Sequence, residues 1–278
     1  FSPFGDITTL MVWQSGILDF HVFFALFVPS AVNYLVPAAL MSLAVPRDTP
    51  QVDNETVVMK RGAKPIMFLF GCTIATAVSF HNFLQLPPFL GMMTGLAYLQ
   101  FYGYYLRRTH DAANHEAQKQ GHPGEVSAFD GFREVARAEW DTLLFFFGVI
   151  MCVGGLGFIG YLDQLSQFAY TELGATTANV LVGLASAIVD NIPVMVAVLQ
   201  MNPDMDMMQW LLVTLTAGVG GSLLSIGSAA GVALMGQARG QYTFFSHLKW
   251  TPAIAVGFAL SIWVHFLINE SYAGVLPV

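Results

Sequence analysis

Apolar residues gather along this chain into runs long enough to cross a hydrocarbon layer of about 30 Å, which takes about 20 residues of helix. The first stretch, Ile7 to Trp13, is too short to span and is closed by Gln14, Ser15 and Gly16, so residues 1–16 predict a half-helix. Residues 17–45 predict a transmembrane helix carrying Pro29 and Pro37, which a bundle tolerates because freed backbone groups find partners in neighbouring helices. A polar loop over 46–64 precedes two spans within 65–106, joined by the turn Leu86-Pro87-Pro88. In the polar segment 107–140, Phe129, Phe132, Val135 and Ala136 recur at helical spacing between Arg133, Arg137 and Glu139, predicting a short interfacial helix. Residues 141–162 read as another span, followed by a polar connection from Asp163 to Thr177. The run within 174–203 is broken at Asp190-Asn191-Ile192-Pro193, the run within 207–236 is broken around 220–228, and the last span is 250–269.

Composition agrees with this pattern. Hydrophobic residues make up 55% of the 278 positions, charged residues only 10%, and the mean hydropathy is +0.59, whereas a soluble domain carries about 25% charge. The fold class is therefore an all-α polytopic membrane protein, which excludes a secreted disulfide scaffold and a disordered chain. A net charge of −7 leaves no basic footprint for nucleic acid. Cys72 and Cys152 lie inside apolar runs at no metal-binding spacing and read as small buried thiols. The chain opens at Phe1 with neither methionine nor a signal peptide, so an upstream N-terminal portion is expected.

The eleven cations fall in three loops: Arg47, Lys60, Arg61 and Lys64; Arg107, Arg108, Lys119, Arg133 and Arg137; Arg239 and Lys249. Short cytoplasmic loops collect lysine and arginine. A single crossing by 174–203 would put the Arg239/Lys249 loop on the side of Asp19, Asp163, Glu172, Asp204, Asp206 and Glu270. A re-entrant hairpin with its tip at 190–193 puts every cation on one side, so the C-terminus is expected to be extracytoplasmic.

Irregular backbone at membrane depth is tolerated where it lines a cavity, and in secondary transporters such breaks carry the ion or substrate site. The hairpin tip offers Asp190 and Asn191. The second break offers Gly220, Gly221, Gly227 and Gly231 with Ser222, Ser225 and Ser228, a source of carbonyl and hydroxyl oxygens suited to sodium or lithium. An internal echo places Phe4-Gly5-Asp6 on Ile226-Gly227-Ser228, and the two half-helices that follow would point in opposite directions, as an inverted repeat requires.

Three segments carry a resemblance: Ser2-Pro3-Phe4-Gly5-Asp6-Ile7-Thr8-Thr9-Leu10, then Val189-Asp190-Asn191-Ile192-Pro193, then Gly220-Gly221-Ser222-Leu223-Leu224-Ser225-Ile226-Gly227-Ser228-Ala229-Ala230-Gly231. With Phe245-Ser246-His247-Leu248-Lys249-Trp250, they make the chain resemble the C-terminal portion of NhaD-type sodium/proton antiporters of the ion transporter superfamily. The resemblance implies an inverted-repeat transporter, a homodimer, that moves its transport domain against a scaffold in an elevator-type cycle. It implies a second-repeat ion site at Asp190, Asn191, Ser225 and Ser228, with Gly227 beside it, and the end of the first-repeat site at Ser2, Asp6 and Thr8.

An ionised aspartate at membrane depth costs several kcal/mol unless paired, and neither Asp190 nor Asp6 has a lysine or arginine close in its run. Both therefore read as functional, although Asp190 can also cap the returning helix. Ser222 reads as helix packing, His81 and His265 as satisfied or interfacial residues, His247 as a solvated loop residue, and Phe145, Phe146 and Phe147 as lipid-facing bulk. The expected activity is secondary active sodium (or lithium)/proton antiport in a bacterial inner membrane or a plastid envelope. Cation and proton compete for Asp190 and Asp6 as substrates, and no cofactor is expected. The alternative is an organic-anion, citrate or arsenite carrier of the same superfamily. An enzyme is disfavoured because the hydroxyls cluster with glycines instead of pairing with a base.

Overall fold

A computed structural model describes residues 2–44, 62–109, 140–238 and 240–277, and every regular element among them is helical. In chain order these are α1 (Ile7–Gln14), a 3₁₀ turn (Phe20–Leu26) running into α2 (Phe27–Ser42), α3 (Ala63–Leu84), α4 (Pro88–Arg108) and α5 (Trp140–Phe158). There follow α6 (Tyr161–Ser166), continued by a π-helical stretch (Gln167–Glu172), α7 (Ala175–Ser186), α8 (Asn191–Met201), α9 (Met207–Gly220), α10 (Ala229–Gln237), α11 (Phe244–Leu248) and α12 (Thr251–Ile268). The interfacial helix expected at Phe129–Ala136, the loop cations Arg47, Lys60 and Arg61, and Arg239 lie outside the described residues.

Three helical stretches, Phe20–Ser42, Ala63–Leu84 and Thr251–Ile268, are long and apolar enough to cross a membrane. A fourth, Leu143–Phe158 with Tyr161–Glu172, qualifies as a broken pair bent by 81°. Gly160 makes that bend at φ +81°, backbone that side-chain-bearing residues rarely adopt. The polar connection expected from Asp163 is thus helical as far as Glu172: Leu162 is buried beneath it, and Gln164, Leu165 and Gln167 are good helix formers. α4 reaches 21 residues, but its tyrosines, Gln100 and terminal arginines leave it less apolar than its neighbours. Both cysteines are free; Cys152 is exposed and Cys72 half-buried, so neither is the buried thiol expected from its apolar run.

The described chain divides into two compact units. In the smaller, α3 and α4 approach closely at Gly91 and Gly95. A β-carbon at Gly91 would lie 2.3 Å from Ala77 Cα, and one at Gly95 only 2.1 Å from Thr73 Cγ2. This is the small-xxx-small contact that lets membrane helices associate. Gln85 (φ +54°) closes α3, and Leu86 N–H donates to Phe80 O at 3.0 Å.

In the larger unit α9 is apolar around its circumference and buried along nearly its whole length, the signature of a central helix. α7 lies along it through small and polar residues. Ser186 Oγ donates to Ala217 O (2.7 Å), Thr216 Oγ1 to Asn179 O (2.8 Å), and a β-carbon at Gly220 would meet Gly183 O at 2.0 Å. α12 packs on α2 where Gly257 meets Pro37 and the Asn33 carbonyl that the proline leaves without its helical donor. His265 of α12 is fully buried and satisfied: Nε2 donates to Met208 O at 3.1 Å, and Nδ1 accepts from Asn269 Nδ2 at 2.9 Å.

Candidate cation site at the helix breaks

In the larger unit α1, α8 and α10 each start from a polar cap, and those caps include the carboxylates singled out in the sequence. Asp6 opens α1: one carboxylate oxygen accepts the Thr8 hydroxyl and, at 3.4 Å, the Thr9 N–H. The Ser2 carbonyl receives Gly5 N–H (2.8 Å) and Thr9 Oγ1 (2.9 Å), so Ser2 enters this turn through its backbone. Thr8 is completely buried. Asp6 and Thr8 lie against Gly218 of α9, where a β-carbon would sit 3.1 Å from both Asp6 Oδ2 and Thr8 Oγ1. A bare glycine therefore lets this oxygen pair rest on the backbone of the central helix.

Asp190 opens α8, with Oδ1 accepting Ile192 N–H at 3.0 Å. The break occupies 187–190, slightly earlier than the expected 190–193. Pro193 falls in the first turn of α8, where a helix needs no N–H from it, and Asn191 is the first helical residue. Asp190 is half-buried at the positive end of the helix dipole, which offsets negative charge there without a cationic side chain. One oxygen caps the helix, and the other retains lone pairs for a ligand.

The second break runs from Gly221 to Ser228. Ser228 opens α10, accepting Gly231 N–H at 3.2 Å. Gly227 adopts ordinary backbone angles; its requirement is space. A β-carbon there would lie 2.6 Å from Ala187 O and 2.8 Å from Ser186 O, so the second break touches the first through backbone. Ser225 is 2% exposed, and its hydroxyl has no hydrogen-bond partner. An unsatisfied buried hydroxyl costs about 1–3 kcal/mol, and an oxygen-seeking ligand would remove that penalty. Ser222 is exposed, its hydroxyl returned to Val219 O at 2.6 Å, so it is not the packing residue expected.

The structure thus joins Asp6 and Thr8 to α9, and Gly227 with neighbouring Ser225 and Ser228 to the chain three residues before Asp190. Gly218, Gly183, Ser186 and Thr216 make these approaches possible, and none of them stands out in the sequence. The signal available is the spacing of Asn179, Gly183 and Ser186 on one face of α7. His247 departs from the solvated loop residue expected: it is bonded on both ring nitrogens, to Tyr242 Oη (2.6 Å) and Ser222 O (3.1 Å).

Among known families, residues 1–218 match the one described as citrate transporter. The chain is 60% identical over 281 residues to the Na(+)/H(+) antiporter NhaD of Vibrio cholerae, covering 97% of this chain and 59% of that protein. It is 62% identical over 269 residues to NhaD of Vibrio parahaemolyticus, covering 93% and 65%. Sodium/proton antiporter 1 of Arabidopsis thaliana is 31% identical over 284 residues, covering 97% of this chain and 46% of the plant protein. The chain therefore spans about three-fifths of the length of the two bacterial relatives. No solved structure matches it. The chain belongs to the citrate transporter family of the ion transporter superfamily, an integral membrane protein similar along nearly its whole length to NhaD sodium/proton antiporters.

Proposed function

We propose that this chain is the C-terminal portion of a secondary active sodium (or lithium)/proton antiporter of the bacterial inner membrane, working as a homodimer with its N-terminal portion attached. The observation that carries the reading is the charge of the breaks. Asp6 and Asp190 stand at half-helix starts among neutral hydroxyls and carbonyls, and the one lysine or arginine among the described residues of this unit is the exposed Lys249. Such a site attracts a bare cation. Asp190 binds it in ionised form, Asn191, Ser225, Ser228 and local carbonyls complete the shell, and Asp6 with Thr8 supplies a second oxygen cluster. A proton and a sodium ion cannot occupy the same carboxylate at once, so loading one releases the other, and alternation across an elevator-type cycle gives exchange.

The matching turn and cap geometry at Asp6 and Ser228 supports the inverted repeat. The contact between the breaks at Gly227 and Ala187 supports a hairpin entering beside the broken helix.

The matched family's description favours a second reading, a citrate carrier. Citrate carries negative charge and would require cations or an unopposed set of donors where Asp6 and Asp190 stand, so this reading ranks second. The test is reconstitution of the full-length protein in vesicles with a pH-sensitive dye, adding sodium, lithium, citrate and arsenite in turn. Proton movement with sodium or lithium alone is the expected result, and a response to citrate alone would replace the antiporter reading with the carrier.

A further inference from the structure

We propose that His247 is a positioning residue for cation transport, holding the Ser222 carbonyl so that the backbone of the second break is fixed around Ser225; this rests on the antiporter reading above. The break from Gly221 to Ser228 has lost the helical ladder, so its carbonyls need other donors. Leu224 O takes Gly227 N–H within the break at 3.1 Å. Ser222 O and Leu223 O are held from outside it, by His247 Nε2 at 3.1 Å and by Thr251 Oγ1 at 2.9 Å. His247 lies in α11 and Thr251 is the first residue of α12, so the break is tied to both helices that follow α10.

A carbonyl only accepts, so Nε2 must carry the proton, and in the neutral ring Nδ1 is then an acceptor. Tyr242 satisfies it: its hydroxyl lies 2.6 Å from Nδ1, and its ring stands edge-on at 5.9 Å between centroids. Burial pushes the Tyr242 phenol above its ordinary range, so it stays a donor through the working pH range. Protonation of the ring would keep both contacts, with Nδ1 then donating to the phenol oxygen. The phenol thus orients the imidazole, and the imidazole orients the carbonyl three residues before Ser225. Thr243 and Ser246 lock the intervening turn with a reciprocal capping box, so the loop that presents His247 is itself preorganised.

The test compares wild type, His247→Phe, His247→Gln and Tyr242→Phe in the full-length protein, measuring apparent sodium affinity and maximal exchange rate in vesicles. Hydrogen exchange of the peptide spanning residues 219–228 is measured alongside. Phenylalanine keeps the ring against Tyr242 but has no donor; glutamine restores an N–H near the Nε2 position. His247→Phe should weaken apparent sodium affinity roughly threefold to tenfold, the range one net hydrogen bond supports, with maximal rate within about twofold and faster exchange in the 219–228 peptide. His247→Gln should restore both readouts, and Tyr242→Phe should shift them in the same direction by less. If His247→Phe fails to reach the membrane, Tyr242→Phe, which leaves the imidazole in place, decides the matter by the same two readouts. Unchanged affinity, unchanged peptide exchange, or equal losses in the Phe and Gln variants would each overturn the positioning role. Wild-type vesicles that move no protons on sodium addition would instead contradict the antiporter reading.

Discussion

Asp6 and Ser228 share one local geometry. Their backbone angles are φ −148°, ψ 138° and φ −147°, ψ 144°, and each side chain accepts the N–H of the residue three positions on, Thr9 or Gly231. Each follows a turn closed by the preceding glycine, Gly5 N–H to Ser2 O and Gly227 N–H to Leu224 O. One of these caps is a carboxylate and the other a hydroxyl, so the same local geometry presents a charged oxygen at Asp6 and a neutral one at Ser228. The neutral one is the simpler to test. Ser228→Ala removes the cap, worth about 1 kcal/mol, and with it the ligand oxygen proposed above; sodium affinity should fall about tenfold, with Ser228→Thr restoring most of it. Vesicle sodium titrations of both variants check this.

Ser225→Ala separates ligation from stability by sign. The hydroxyl is buried without a partner, so its removal should leave the thermal midpoint of the purified protein unchanged or raised. Apparent sodium affinity should nevertheless drop severalfold. Melting curves with and without sodium, run beside transport assays, measure both; lost stability together with unchanged affinity would make Ser225 a structural residue.

Gly218 is expected to be intolerant although it carries no chemistry. A β-carbon 3.1 Å from both Asp6 Oδ2 and Thr8 Oγ1 is tighter than ordinary contact, and the carboxylate must shift to admit it. Gly218→Ala should reduce exchange several-fold and Gly218→Val should abolish it. Gly148→Ala, which would meet nothing within 4 Å, serves as the control. Membrane abundance by immunoblot beside transport rate distinguishes a damaged site from a lost protein.

Gly227→Ala tests the contact between the two breaks. Its β-carbon would meet backbone oxygens of Ser186 and Ala187, which cannot rotate away as a side chain can. The breaks should be forced apart, with exchange lost and insertion retained. Activity near wild type would mean that the two breaks need not touch.

Much of this arrangement is legible in the sequence because helix ends are local. Asp6, Asp190 and Ser228 stand before short apolar runs, and each caps the helix that follows. Local signals also mislead: Asn191-Ile192-Pro193 has the composition of a tip, but a proline in the first helical turn removes an N–H that has no partner there anyway. Polar composition over Asp163–Glu172 suggests a connection, whereas Gly160 bends the chain and the helix resumes. The residues that bring the pieces together, Gly218 under Asp6 and Ser186 on Ala217, are hidden because their meaning depends on partners distant in sequence. His247 is hidden for the same reason, since its acceptor is the backbone of Ser222.

Competition between sodium and a proton for Asp190 is measured most directly as apparent sodium affinity against pH in vesicles for wild type and Asp190→Asn. Asparagine keeps an oxygen for the Ile192 N–H and so keeps the cap, while removing the charge and the titration. Wild-type sodium affinity should weaken as the pH falls, because only the ionised carboxylate binds sodium and a proton on the same group displaces it. Asp190→Asn should show no exchange at any pH, with normal amounts in the membrane. Exchange by Asp190→Asn with the wild-type pH slope would remove Asp190 from the mechanism and leave it as a helix cap.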